Sequence, residues 1–377
     1  MWALVLFIAA LCAAAVNAFF VFNTVRNLRA VPKLPELNVS DGASPLVSVL
    51  IPACNEADKI KKCLLSITKQ DYANFEVIVL DDASTDATYA AASNVNSNIV
   101  VIKGLPHPKG WVGKTYACNQ LADAAKGELL LFLDADCYFT SSRAMTSMVA
   151  NMYQQHLAML SLIPKDDNKK LWQQIVMPIT NTFLLSLRID KLLLGKGANQ
   201  KKPEPNMCTL VTKKAYGLCG GYCAVKDSAI EGVDFATNVA RIGEYGLFTG
   251  VSQVSVYHYD ATKQFINGNT RRLFASINYS SRMLMAIIVG SFLAFYLPFL
   301  LLAATESFPV TALLLFAITC MYVTRILTSI RMRESYWPIV LHPIALLVHL
   351  VILVYGAWSY TFRPVAWKQR KLPRRSL

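Results

Sequence analysis

Three short polar clusters carry most of the chemistry open to this sequence. Pro52-Ala53-Cys54-Asn55-Glu56 closes the apolar run LVSVLIP, Asp81-Asp82-Ala83-Ser84-Thr85-Asp86 follows FEVIVL, and Asp134-Ala135-Asp136 follows LLLFL. Two carboxylates one residue apart, such as Asp134 and Asp136, repel each other, so a divalent cation is their natural third party. Mg²⁺ takes one or two carboxylates and completes its shell with water and substrate phosphates. There it would neutralise a diphosphate leaving group. Asp81 and Asp82 can accept hydrogen bonds from a nucleobase or ribose, and Asp86 either joins them or caps the next helix. Lys114 follows Trp111-Val112-Gly113 at a predicted helix start, where its ammonium and the helix N-terminus both favour phosphate oxygens. The triplet Gly113-Lys114-Thr115 is not a Walker loop, because Pro108 stands where the first glycine should fall.

The elements that must position these clusters read as alternating strands and helices. Strands are predicted at Leu46–Pro52, Phe75–Leu80, Ile99–Ile102 and Leu129–Leu133. Helices are predicted over Ala57–Gln70, from Asp86–Ser93 and over Lys114–Lys126. Continuous apolar strands alternating with helices mean a parallel sheet covered on both faces. Ligands of such sheets sit at the carboxyl ends of the strands. All three clusters fall at such ends and converge on one crevice.

In this order and spacing the clusters resemble family 2 glycosyltransferases with the GT-A fold, a Rossmann-like, mostly parallel α/β sheet, over roughly residues 46–260. Within the family, Gly110-Trp111-Val112-Gly113-Lys114 and the closing Val365-Ala366-Trp367-Lys368 resemble membrane enzymes that glycosylate carotenoid acids or are associated with hopanoid pathways. The resemblance implies a UDP-sugar donor, with Asp81 and Asp82 on the uridine and Pro52, Asn55 and Glu56 shaping the base and ribose pocket. It places Asp134 and Asp136 on Mg²⁺ or Mn²⁺ and on the donor diphosphate, near Lys114. The family's Glu-Asp pair in the acceptor half corresponds to Ile230-Glu231-Gly232-Val233-Asp234, with Gly232 in the usual Asp position. Glu231 is therefore expected as the catalytic base, with Asp234 in reserve. The Gln-x-x-Arg-Trp motif of processive members has no counterpart, since Gln264 is followed by Arg271-Arg272-Leu273 without the tryptophan. The expected activity is inverting transfer of a hexose, from UDP-glucose, to an apolar lipid acceptor such as a carotenoid or other isoprenoid. The alternatives are a glycan or polysaccharide synthase, or a non-catalytic membrane protein that binds nucleotide sugars.

Composition adds the membrane. Of 377 residues, 54% are hydrophobic and 16% charged, and the mean hydropathy is +0.37, which excludes a disordered chain and argues against an ordinary soluble enzyme. Trp2–Phe22 is apolar except for Asn17, long enough at about 1.5 Å per residue to cross a bilayer core, and forms an N-terminal anchor within residues 1–24. Arg26, Arg29 and Lys33 follow it, which puts the central domain on the cytoplasmic side of the cell's inner or plasma membrane. Three further apolar runs, Met283–Ala304, Phe308–Ile330 and Trp337–Phe362, make a region over 283–362 with two to three crossings. The net charge of +13 gathers at membrane flanks and in a basic tail over 363–377. That pattern points to anionic headgroups and away from nucleic acid.

Three full crossings would carry the basic tail to the outer side, against the positive-inside rule. One run is therefore expected to be re-entrant or interfacial, and Phe308–Ile330 is singled out because its clean apolar part ends before Arg325. Residues 171–195 read as an amphipathic interfacial helix pair or as ordinary core-facing helices, and Lys196–Pro205 as a polar loop able to cover the site. The nine cysteines show no paired C-x-x-C spacing and are expected to be reduced thiols.

Overall fold

The protein is described by a computed structural model covering residues 2–39, 44–187, 207–228, 230–259, 261–362, 366–367 and 370–371. The loop expected at Lys196–Pro205, the end of the 171–195 segment and most of the basic tail lie outside the described residues. The chain opens with α1 (Trp2–Ala30). There follow β1 (Val47–Ala53), α2 (Ala57–Ile67), β2 (Phe75–Asp81), α3 (Thr88–Ser93), β3 (Ile99–Lys103), α4 (Gly113–Ala124), β4 (Leu129–Leu133), β5 (Cys137–Phe139), α5 (Ala144–Gln154), β6 (Met159–Ile163) and β7 (Lys165–Asp166). Next are α6 (Leu171–Val176), α7 (Pro178–Ser186), β8 (Cys208–Thr212), α8 (Lys213–Leu218), α9 (Glu231–Ala240), β9 (Tyr245–Thr249) and β10 (Val254–Val256). The last part holds α10 (Thr262–Ser276), α11 (Ser281–Ser291), a π-helical turn (Phe292–Tyr296), α12 (Leu297–Leu302), α13 (Phe308–Met332) and α14 (His342–Phe362), before a short ribbon of β11 (Ala366–Trp367) and β12 (Arg370–Lys371).

The central sheet has seven strands in the order β3-β2-β1-β4-β8-β6-β9. The first four are parallel neighbours, and β8 runs antiparallel to both β4 and β6. β1 and β4 are buried nearly end to end, as strands covered by helices on both faces must be. Val49, Ile51, Leu64 and Leu131 share one core layer, and Leu50, Leu121, Leu130 and Phe235 share the other. A second sheet, β5-β10-β7, has strands of two or three residues.

Among the described residues, four helical segments are long and apolar enough to cross a membrane: Trp2–Ala30, Ser281–Leu302, Phe308–Met332 and Trp337–Phe362. α1 is more than an anchor. Its Ala10, Ala13 and Ala14 pack on Val310, Leu314 and Ala317 of α13, small residues that let two helices approach closely. Asn17 Nδ2 donates to the Ala294 carbonyl at 2.8 Å. Asn23 and Asn27 donate to the carbonyls of Ser186 and Leu185 at the end of α7. Arg331 Nη1 and Nη2 cap the end of α1 through the carbonyls of Val31 (2.8 Å) and Leu28 (2.6 Å), where cations suit the helix dipole. The chain then joins the edge of β9 through Thr249 N to Pro32 O (2.8 Å) and Leu34 N to Thr249 O (3.1 Å).

The segment singled out as re-entrant is a continuous helix of 25 residues packed along α1. Its Arg325 is buried and paired with Glu334 at 2.6 Å. The helix laid against a polar neighbour is α14. His349 meets Phe265, Gly356 faces the Thr270 carbonyl and Tyr360 meets Phe274 and Tyr279, so α14 follows α10 side by side. α10 carries Lys263, Gln264, Asn267, Asn269 and Arg272, a load that keeps it out of a hydrocarbon core. This packing predicts that the chain beyond α14 emerges on the same side as the seven-stranded sheet. In sealed vesicles, a C-terminal tag and the sheet domain should become accessible to protease together. A tag digested only from the opposite face would contradict it.

Candidate active site

The first two clusters meet because β1 and β2 run in register, with Ala53 opposite Asp81. Asp82 N donates to Ala53 O at 2.8 Å, and Gly104 N donates to Asp81 O at 2.9 Å. A side chain at position 104 would crowd this corner, since an added Cβ comes within 2.8 Å of Leu80 Cδ2. Asp81 and Asp82 are both buried at this edge. Asp81 Oδ1 has no hydrogen-bond partner, and a buried carboxylate oxygen of that kind calls for a donor.

The loops around this corner are stitched to each other. Asn55 and Ala83 take left-handed backbone, with φ of 53° and 52°. Asn55 Oδ1 accepts from Thr85 N at 2.8 Å, Ser84 Oγ accepts from Asn55 N at 2.9 Å, and Thr88 Oγ1 accepts from Glu56 N at 2.8 Å. Asp86 accepts from Thr88 N at 3.0 Å and Ala57 N at 3.2 Å. What desolvation it suffers would raise its carboxyl, but these hydrogen bonds outweigh it and hold the group below the usual carboxylate value. Asp86 thus secures the loops. Pro52, the sixth residue of β1, lies next to the cluster in the sheet.

The third cluster joins α4 and α9. Lys114, in the first turn of α4, places Nζ 2.7 Å from Asp134 Oδ1 and 2.9 Å from Asp134 Oδ2. The same Nζ lies 3.6 Å from Glu231 Oε1. Burial alone would lower the ammonium's pKa, but the two carboxylates outweigh it and raise it, so the charge is locked on. The start of α4 is pinned to the loop before α9 by Val112 N to Lys226 O (2.7 Å) and Thr115 Oγ1 to Lys226 O (2.9 Å). Glu231 is the first residue of α9 and is 8% exposed. Asp234, one turn on, accepts from Ser228 Oγ at 2.6 Å. The structure brings Glu231 to Lys114 and Asp134, and turns Asp234 to its own loop.

Asp136 faces a histidine that the sequence reading missed. β10 pairs with β5 and β7, and Tyr257 N donates to Asp136 O at 3.0 Å. His258 Nδ1 thereby lies 3.8 Å from Asp136 Oδ2, and its Nε2 lies 3.4 Å from Asp166 Oδ1. Lys59 Nζ donates to His258 O at 2.9 Å and sits 3.5 Å from Glu56 Oε2. The available signal for His258 was a His-Tyr-Asp cluster directly after a short apolar strand.

Among the described residues no group of three His, Cys, Asp or Glu side chains forms a ready metal cage. A Mg²⁺ or Mn²⁺ ion that serves a diphosphate needs fewer protein ligands, because substrate oxygens and water complete its shell. Asp136 and His258 are such a pair, with Asp134 two residues away. Burial pushes the Asp136 carboxyl up to about 6; His258 and Lys59 oppose this, and the nearby Asp134 and Glu56 add to it. A cation would relieve that excess of negative charge, so the residues fit the metal.

A pH dependence follows. Below about pH 6 Asp136 holds a proton and cannot serve as a ligand, so Mn²⁺ affinity should fall about tenfold per unit as the pH drops below that value. The stability of the metal-free protein should move the other way. The folded-state value lies above the ordinary 3.8, so Asp136 contributes stability that is present below pH 4 and lost as the pH rises through 6. Mn²⁺ titrations between pH 5 and 8 check the first sign, and metal-free thermal unfolding between pH 4 and 7 checks the second.

Residues 48–221 match the family described as glycosyl transferase family 2. That stretch of the chain thus resembles a family 2 glycosyltransferase domain. The chain resembles carotenoid glycosyltransferases in particular. It is 26% identical over 255 residues to 4,4'-diaponeurosporenoate glycosyltransferase of Staphylococcus haemolyticus (strain JCSC1435), covering 64% of this chain and 65% of that protein. It is 28% identical over 269 residues to the protein of the same name in Staphylococcus aureus (strain MRSA252), covering 70% and 69%. The chain thus spans about two thirds of the length of these curated relatives. Among solved structures, a mannosyltransferase from Pyrobaculum calidifontis in complex with GDP-Man and Mn²⁺ aligns with a TM-score of 0.57 at 18% identity, covering 94% of this chain and 99% of that one. At that identity the likeness concerns the fold alone, a mostly parallel GT-A sheet.

Proposed function

We propose that this chain is a membrane-bound inverting glycosyltransferase that moves a hexose from a UDP-sugar, UDP-glucose, to an apolar lipid acceptor of the carotenoid or isoprenoid class. The observation that carries the reading is the crevice in which Asp81, Asp82, Lys114, Asp134, Asp136 and Glu231 come together at neighbouring strand ends, beside helices long and apolar enough to cross a membrane. The names of the curated relatives support the acceptor class. Arg26 and Arg29 near the end of α1 and Lys33 just after it support a catalytic domain on the cytoplasmic side of the inner or plasma membrane.

In this reading Asp81, with its unpartnered Oδ1, accepts from the uracil, and Asp82 holds the ribose. Asn55 and Glu56 keep that pocket in shape through the loop contacts they make. Lys114 balances charge on the donor diphosphate. Asp136 and His258 hold Mg²⁺ or Mn²⁺ next to Asp134, and when bound the metal stabilises the departing diphosphate. Glu231 takes the proton from the acceptor oxygen where that oxygen carries one, in the buried setting that general base catalysis uses. α6 and α7 lie between the crevice and the membrane helices, with Ile179 packed on Ala345 and Leu346 of α14 and Val176 on Phe265 and Ile352. An apolar acceptor would reach Glu231 along this side.

The test is transfer of radiolabelled glucose from UDP-glucose, with Mn²⁺, into the lipid extract of membranes carrying the protein. Label should partition with lipid and be absent with Asp136→Asn. A labelled product that partitions into water and grows in length would assign a glycan synthase instead. Donor binding without release of UDP would assign a non-catalytic binder.

A further inference from the structure

A buried polar path runs from α13 to the edge of the crevice. Arg325, 2% exposed, places Nη1 2.6 Å from Glu334 Oε2, just beyond the end of its helix. Glu334 Oε1 accepts from Asn181 Nδ2 of α7 at 2.9 Å. The same Nδ2 donates to Asp166 Oδ2 at 2.8 Å. Asp166 Oδ1 faces His258 Nε2 at 3.4 Å, and His258 Nδ1 faces Asp136 at 3.8 Å. No member of the path is exposed.

Asn181 is the member that joins the two acids Glu334 and Asp166. Its amide nitrogen has two hydrogens, and both are directed at carboxylates. This fixes the amide, because a flip would set Oδ1 against two negative groups. The consequence reaches the imidazole. Asp166, held by Asn181, presents its other oxygen 3.4 Å from Nε2, the side on which a neutral imidazole would keep its proton. Nδ1 then offers its lone pair toward Asp136, and such outer partners are what orient metal-binding histidines. Arg325 supplies the positive charge that lets two carboxylates, Glu334 and Asp166, approach one amide in a buried place.

We infer that Asn181 and Asp166 are positioning residues that set His258 for metal binding and tie that setting to the end of membrane helix α13. The inference rests on the catalytic reading above. Neither residue is needed to touch donor or acceptor, and both act through His258.

The experiment measures Mn²⁺ binding by electron paramagnetic resonance on the full chain in lipid nanodiscs, without turnover. Asn181→Leu keeps the side-chain volume and removes both hydrogen bonds. Asp166→Asn removes the charge beside Nε2. Each should weaken Mn²⁺ binding about 10- to 100-fold, and Glu334→Gln, one link further away, should weaken it less. At saturating Mn²⁺, kcat should recover while the binding midpoint stays shifted. A merely structural role would lower the folded fraction and leave the midpoint of the folded remainder in place, which would overturn the inference. Asp166→Asn decides alone if Asn181→Leu does not fold. Unshifted midpoints in these variants, with binding abolished in Asp136→Asn, would also overturn it. Unchanged binding in Asp136→Asn would overturn the catalytic reading instead.

Discussion

Asp136→Asn should reduce the transfer rate about a thousandfold, near 4 kcal/mol of barrier. Asparagine keeps the shape and one acceptor oxygen but removes the charge that faces His258 across 3.8 Å. The described carboxylates around it are engaged, Asp166 by Asn181. Asp134 has both oxygens within 3 Å of the Lys114 ammonium, and Glu56 has Lys59 beside it. The loss should appear in kcat, with a raised requirement for Mn²⁺, because a metal held by one protein ligand is both weaker and less well placed. Steady-state kinetics at rising Mn²⁺ check this. A rate within tenfold of the parent at all Mn²⁺ concentrations would remove Asp136 from the mechanism.

Glu231→Gln carries the second large effect, a fall in kcat of about 10²- to 10⁴-fold with the donor KM little changed. Glutamine can keep the contact with Lys114, and Lys114 keeps its closer partner Asp134 at 2.7 Å, so the donor side of the crevice should survive. What is lost is the oxygen that can take a proton. Asp234→Asn is the contrasting variant. Asp234 accepts from Ser228, and its replacement should lower stability by about 1 kcal/mol while leaving kcat close to the parent value. Equal kcat losses in the two variants would return the base assignment to Asp234.

The strand-end clusters were legible in sequence because each follows a continuous apolar strand of five to seven residues, and parallel strands of that kind bring their carboxyl ends together. His258 and Asp166 were not legible. They are held by a second sheet whose strands come from three distant segments, and strands of two or three residues show no period to read. Asn181 lies inside the 171–195 segment, where nothing local singles it out. Its two carboxylate partners lie 15 and 153 residues away in the chain. The place of α14 was hidden for a different reason. A run as apolar as Trp337–Phe362 has the same composition whether it crosses a bilayer or lies along α10, and only the neighbour decides. Arg325 looked like the end of a short apolar segment, because the sequence does not show Glu334 folding back to pair with it.

The guanidinium that closes the end of α1 has a consequence for how the molecule is made. Arg331 binds carbonyls 300 and 303 positions earlier in the chain, and the β9 edge that receives residues 32–34 is itself more than 200 positions away. During synthesis α1 is among the first segments formed, yet its lower end acquires these partners only near the end. Contacts of such long range are slow to form and leave early segments exposed in the meantime. The bonds that Asn17, Asn23 and Asn27 make to Ala294, Ser186 and Leu185 can therefore form only once α7 and the later apolar helices have been made. A sheet domain cut free of α1 and α13 should lose the contacts at the β9 edge that complete it.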